Sequence, residues 1–260
     1  MEKQNKRREV MRTPMLKRYL IKFVFRLVIF VPIAFFYIKD KALMYEVMTD
    51  ALVWKLAPIH VLWLVFMVMM LKHIFPTETL SMALRKTIKK KYDEQDNYSD
   101  RDLLHFIQDQ NQRALVVMLI WLSFNAVFGI LYLMNIIGDV DLLMLTVLYF
   151  LCDYICILFF CPFQTFIMKN RCCVNCRIYD WGHFMMFTPM LFIRNFFSWS
   201  LFFTSCVVLL KWEIIYIRHP ERFWSGSNRN LQCANCKDRT CQFKKSVKAA
   251  KDAYIKSEEK

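Results

Sequence analysis

Long runs of apolar residues dominate the chain. Four of them, Leu20–Ile38, Ala57–Phe75, Ala114–Ile137 and Leu142–Phe163, match the ~20 residues that a helix needs to cross a ~30 Å hydrocarbon core. The ten-residue alternation of a membrane β-barrel is missing. A fifth apolar region, FMMFTPMLFIRNFFSWSLFFTSCVVLLKWEIIYI at 184–217, is longer than one crossing requires. Helices that cross lipid satisfy every backbone group internally, so the pattern predicts an all-α, polytopic membrane protein.

The polar segments between the runs set an orientation. Residues 1–19 hold seven Lys or Arg against two acids, and lysine and arginine gather on the cytoplasmic side. Residues 39–55 are charge-balanced and predict a short interfacial helix on the outer side. Residues 76–113 form the largest polar insert. It is expected to be a cytoplasmic helical hairpin, with a solvated helix starting at Thr77 or Thr79, a turn near Asn97 and a second helix capped by Ser99 or Asp100. The link 138–141 has no Lys or Arg and suits an outward turn. The first apolar run is followed by Lys39-Asp40-Lys41 rather than a small-residue cleavage site, so it reads as an anchor, not a leader.

The last apolar region allows two topologies. One pass would leave the tail 218–260 outside, with its eleven Lys or Arg and five acids. Two passes, turning near Arg194-Asn195, would return it to the cytoplasm. The arm 196–217 is long enough to cross, whereas 178–193 rises only ~24 Å. A half-helix broken at Pro189, or snorkelling by Arg194, would accommodate that shortfall. The expectation is therefore five full spans and a sixth short or re-entrant helix. The chain divides into a basic N-terminus (1–19), a first helix pair (20–75), the insert (76–113), a second pair (114–168), a cysteine-flanked membrane hairpin (169–241) and a basic tail (242–260).

Composition sharpens this picture. Hydrophobic residues make up 57% of the 260, too many for an ordinary soluble domain of this length. The net charge of +14 reads as topological; no aromatic-plus-basic motif accompanies it, so no nucleic-acid partner is expected. The lipid bilayer is the first partner, a cytoplasmic protein docking on 76–113 the second, and the location a plasma (inner) membrane with the N-terminus cytoplasmic.

Ten cysteines carry the candidate chemistry. Cys152, Cys156, Cys161 and Cys206 lie in apolar runs and read as small packing residues. The other six flank the last apolar region, four of them in two related motifs, Cys173-Val-Asn-Cys176-Arg177 and Cys233-Ala-Asn-Cys236-Lys237. Two C-x-x-C turns are the usual halves of a tetrahedral thiolate centre, because each turn aims two sulfurs at one ion. Cys173, Cys176, Cys233 and Cys236 are thus the predicted metal ligands. Zinc is the favoured ion and an iron–sulfur cluster the alternative. Arg177 and Lys237 would offset the thiolate charge, and each asparagine would support its turn through backbone bonds. Cys172 and Cys241 are spare thiols, and His183 and His219 reserve ligands.

Asp153 sits within an apolar run and needs a partner, for which Arg194 is the candidate and Asn125 a polar neighbour. Lys22 and Arg26 are expected to snorkel, and Lys211 and Glu213 to reach the interface. No sequence motif assigns a nucleophile or general base. The functional expectation is a metal-site scaffold or partner-docking protein. The alternative is a membrane thiol or iron–sulfur oxidoreductase serving a lipid-soluble carrier. With only four glycines and no inverted repeat, a transporter ranks below both.

Overall fold

Every apolar run folds as helix, and no strand occurs among the described residues; one isolated bridge, Glu94 to Asn228, is the only β-type pairing there. The computed structural model describes residues 13–49, 57–75, 81–95, 98–170 and 172–247. The helices are α1 (Pro14–Lys39), α2 (Lys41–Thr49), α3 (Pro58–Ile74), α4 (Asp100–Leu133), α5 (Asp139–Leu158), α6 (Gly182–Phe187), α7 (Phe196–Arg218) and α8 (240–247). Of these, α1, α4, α5 and α7 are long and apolar enough to cross a membrane. At 17 residues α3 rises only about 25 Å and falls short of them.

Local chemistry sets the helix ends. Pro14 and Pro58 open α1 and α3 at positions where a missing N–H costs nothing. Asp100 and Asp102 place negative charge on the first turn of α4, after Ser99, as the helix dipole favours. Gly138 N–H donates to Asp141 Oδ2 at 2.8 Å to start α5. The Asn195 side chain accepts from Ser198 N–H at 2.7 Å to start α7.

The chain reverses at 193–195, as the hairpin reading expected. Leu191 O accepts from Trp199 Nε1, the Phe184 ring meets Phe202, and Trp181 Nε1 reaches Glu213, so the two arms run antiparallel. The first arm is short and broken. It comprises a 3-10 turn (Tyr179–Trp181), α6 and a second 3-10 turn (Thr188–Leu191) with Pro189 inside. Most of it is buried in the centre of the bundle.

Two expectations for the insert change. First, α4 runs without a break from Asp100 to Leu133, so the second insert helix and the third apolar run are one element. No turn signal stands between Leu104 and Ala114 to separate them. Second, residues 84–91 form two 3-10 turns rather than a solvated helix. Met82, Ala83, Leu84 and even Lys86 are buried, and Leu84 joins a core with Trp212, Tyr216 and Phe223. The insert folds back beneath the bundle instead of standing apart. It bonds to the tail through Gln95 N–H to Ser227 O at 3.0 Å and Arg229 N–H to Asp93 O at 2.9 Å. Together they form a cap over one end of the bundle.

Several expectations lie outside the described residues: the segment 1–12, the outer end of the 39–55 helix (50–56), a helix start at Thr77 or Thr79, the turn at Asn97 and the tail beyond 247.

The bundle is apolar outside and partly polar inside. Phe25, Val28, Leu119, Val127, Phe203 and Leu210 are exposed, while Arg26, Asn125, Thr146 and Ser205 are buried. Lipid contact selects such an apolar belt, and buried polar groups then serve as contacts between helices.

Candidate functional site: a thiol face and a buried polar cluster

The two C-x-N-C motifs adopt one local shape. Cys173–Asn175 and Cys233–Asn235 are each a single 3-10 turn closed by a return bond, Cys176 N–H to Cys173 O at 3.1 Å and Cys236 N–H to Cys233 O at 3.4 Å. The shared spacing therefore reflects shared geometry. The reversal at 193–195 also carries both turns to the cap end, where Met82, Val174 and Leu231 pack together with Cys172 and Cys236.

The thiols that pair electrostatically are not the predicted quartet: the two spares, Cys172 and Cys241, perturb each other side chain to side chain, and so do Cys156 and Cys161. Cys173 and Cys176 are buried, Cys236 is half-buried and Cys233 is exposed. The Cys173 thiol donates to Gln164 Oε1 at 3.0 Å, and Lys244 Nζ lies 3.2 Å from its sulfur. Among the described residues, one group of three or more metal-ligating side chains gathers its donor atoms within 4.8 Å, and it contains no cysteine.

The flanking residues also take other roles. Arg177 turns away from the sulfurs into the bundle. Its guanidinium grips both carboxylate oxygens of Glu213 (Nη1 to Oε1 2.8 Å) and stacks 3.5 Å from the Tyr216 ring centroid. Glu213 thus anchors the hairpin, and Lys237 is exposed. The cations beside the thiols come from elsewhere: Lys244 on α8, which also donates to Cys156 O at 2.8 Å, and Lys86 of the insert, which donates to Cys176 O at 3.4 Å. Asn235 supports its turn by donating to Arg229 O at 2.9 Å, whereas Asn175 Oδ1 is buried without a hydrogen-bond partner.

Electrostatics distinguish the thiols. Burial pushes Cys176 up to about 12. Burial also raises Cys173, against the pull of Lys244. In the Cys172–Cys241 pair, the partner sulfur lowers Cys241, while the same contact and burial push Cys172 up. The contact thus sets the two sulfurs apart and favours the thiolate on one of them, the form that nucleophilic cysteine chemistry needs.

A second polar cluster lies deeper in the bundle. Asp153 pairs with Arg26 of α1 at 2.7 Å, not with Arg194, which is exposed at the far end of the hairpin. Arg26 does not snorkel. It is buried, donates to Phe150 O and lies about 4 Å from the Phe150 and Tyr154 ring centroids (4.2 and 4.1 Å). Asn125 bonds to Trp121 O and Tyr149 instead. Close by, His73 at the end of α3 meets Asp180, with Nδ1 to Oδ1 at 2.7 Å, and the His183 ring lies against that of His73. His183 was a reserve ligand in the sequence; His219 instead contacts Glu221 at 3.2 Å. Sequence reasoning missed His73 and Asp180. The spacing Asp180-x-x-His183 within one helical turn was the available signal.

No family model, curated protein or solved structure matches the chain.

Proposed function

We propose that the protein is a multi-pass plasma (inner) membrane protein working through a dithiol at its cytoplasmic face, with Cys172 and Cys241 as the reacting pair and a membrane quinone as the electron acceptor. In the orientation adopted, both termini are cytoplasmic, α3 serves as a fifth crossing and the α6 arm is re-entrant. Oxidation joins the two sulfurs in a disulfide. Two electrons and the Cys172 proton pass to the quinone, a second proton comes from water, and the quinone leaves as quinol. Cys241 supplies the thiolate, and Lys244 and Lys245 provide positive charge nearby. The observation that carries this reading is the closeness of the two cysteine clusters, in which Cys172 packs with Cys236 and pairs electrostatically with Cys241 across 69 positions of sequence.

A second reading keeps the predicted quartet. Val174, Leu231, Cys172 and Cys236 form one small cluster, so both turns stand on the same face, where a zinc ion held by Cys173, Cys176, Cys233 and Cys236 would clamp tail to hairpin. That protein would be a scaffold or docking partner rather than an enzyme.

One experiment separates them. Purified protein is incubated with a short-chain quinone, alkylated, digested and analysed by mass spectrometry without reductant. The expected product is a Cys172–Cys241 linked peptide, formed with stoichiometric loss of quinone and abolished by Cys241→Ser. Unmodified thiols with one zinc per chain, lost in Cys173→Ser and Cys236→Ser, would establish the scaffold instead.

A further inference from the structure

We propose that His73, Asp180 and His183 form a site for one borderline divalent transition-metal ion, of the zinc or ferrous class, set between α3 and α6 and separate from the thiol face. Their ligand atoms all lie within 4.8 Å of one another. His73 Nδ1 is 2.7 Å from Asp180 Oδ1. The two imidazole rings meet edge to face, with centroids 4.3 Å apart at 64°. Asp180 and His183 are buried, and His73 is half-buried.

The chain is shaped for this convergence. Asp180 lies in the 3-10 turn Tyr179–Trp181, which runs directly into α6, so Asp180 and His183 fall on one side of a single turn. Gly182 lets that turn approach α5 closely: a Cβ there would come within 2.9 Å of Asp153 Oδ1. His73 arrives from the last turn of α3, on the opposite side.

A simpler account is one buried histidine–aspartate hydrogen bond. It explains His73 and Asp180 but not the second imidazole, whose donor atom also lies within reach of both partners. A shared ion explains all three. Zinc-type bonds of ~2.0–2.2 Å place tetrahedral ligand atoms about 3.3 Å apart. The 2.7 Å pair therefore opens by roughly half an ångström on loading and His183 closes in, both by small side-chain rotations.

The donor set selects the ion. Two imidazoles with one carboxylate suit Zn²⁺ or Fe²⁺; calcium and magnesium take oxygen shells, and Cu⁺ prefers sulfur. Three protein ligands leave a fourth position for water or an anionic oxygen. Arg26, Lys22 and Lys211 lie within electrostatic reach of His183 or Asp180, with Asp153 opposing them beside Asp180.

The test uses full-length protein in detergent, stripped with chelator and then given Zn²⁺ or Co²⁺ alone. Expected results are one ion per chain, a rise in melting temperature with Zn²⁺, and a Co²⁺ spectrum without thiolate-to-cobalt charge transfer. His183→Gln and Asp180→Asn should each lower affinity at least tenfold, while Cys172→Ser/Cys241→Ser keeps it. If the substituted chains do not fold, the spectrum and melting shift of the unsubstituted protein decide. A thiolate-type Co²⁺ spectrum, or a melting temperature that Zn²⁺ leaves unmoved, overturns the site. A thiolate-type spectrum would also place the ion on the cysteines and favour the scaffold reading, whereas an unmoved melting temperature leaves the dithiol to be read separately by disulfide mapping.

Discussion

A lysine ammonium enclosed by aromatic rings sits directly beneath the thiols. Lys86 Nζ is 5.9 Å from the Trp212 ring centroid and 5.6 Å from that of Phe223, and Cys176 O is its hydrogen-bond acceptor. Burial draws its pKa from the ordinary 10.5 down to about 7. The unfolded chain therefore holds this proton more tightly than the folded one. Lys86 destabilises the fold fully below about pH 7, less as pH climbs, and not at all above about 10.5. Lys86→Met should accordingly raise the unfolding midpoint at pH 7, and its advantage over the original protein should shrink steadily toward pH 10. A constant difference across that range, read by thermal unfolding in detergent, would contradict the burial argument. Single residues were unevenly legible. The need of Asp153 for a partner followed from its apolar surroundings. Its actual partner did not, because Arg26 turns inward or outward according to how α1 packs on α5. Arg177 was misjudged for a related reason: a cation next to a cysteine in sequence need not face it once the turn has formed.

At the scale of elements, the α6 arm is the structural pivot. Its shortness was legible from rise per residue, and so was the reversal near Asn195. The continuity of α4 through the insert boundary was not, since the change from polar to apolar residues there alters surroundings without altering helix propensity. The closeness of α6 to α5 was also hidden, because it depends on one missing side chain. Gly182→Ala should place a methyl group against the Asp153 carboxylate and force it off Arg26 or push α6 outward. A loss of about 1–3 kcal/mol is expected, the usual range for overpacking a tight interior. Denaturant titration would measure it, and a neutral result would mean that the two helices are free to part.

The molecule as a whole is a bundle with an apolar outer face and a polar cap. Composition and run length made the bundle legible. The cap was not, because it is assembled from segments more than 130 residues apart that share no periodicity, such as Asp93 with Arg229 and Tyr19 with Asp238. These contacts hold the start of α1, the insert and the tail on one side. Reporter fusions at the two termini should therefore agree, both active as alkaline phosphatase or both bright as fluorescent protein. Opposite readings at the two ends would break the shared-side arrangement. One dimension of the cap bears on how it meets the lipid. At 34 residues, α4 spans roughly 51 Å against a ~30 Å hydrocarbon core, and Phe106 near its start stacks on Trp224 of the tail at 5.8 Å. The cap is thus moored to a mast longer than the bilayer it could cross. Set in a membrane, that mast would tilt as the thickness changes and carry the cap and its sulfur atoms with it through Phe106 and Trp224, so bilayer thickness would become a tuning variable for whatever reaches them.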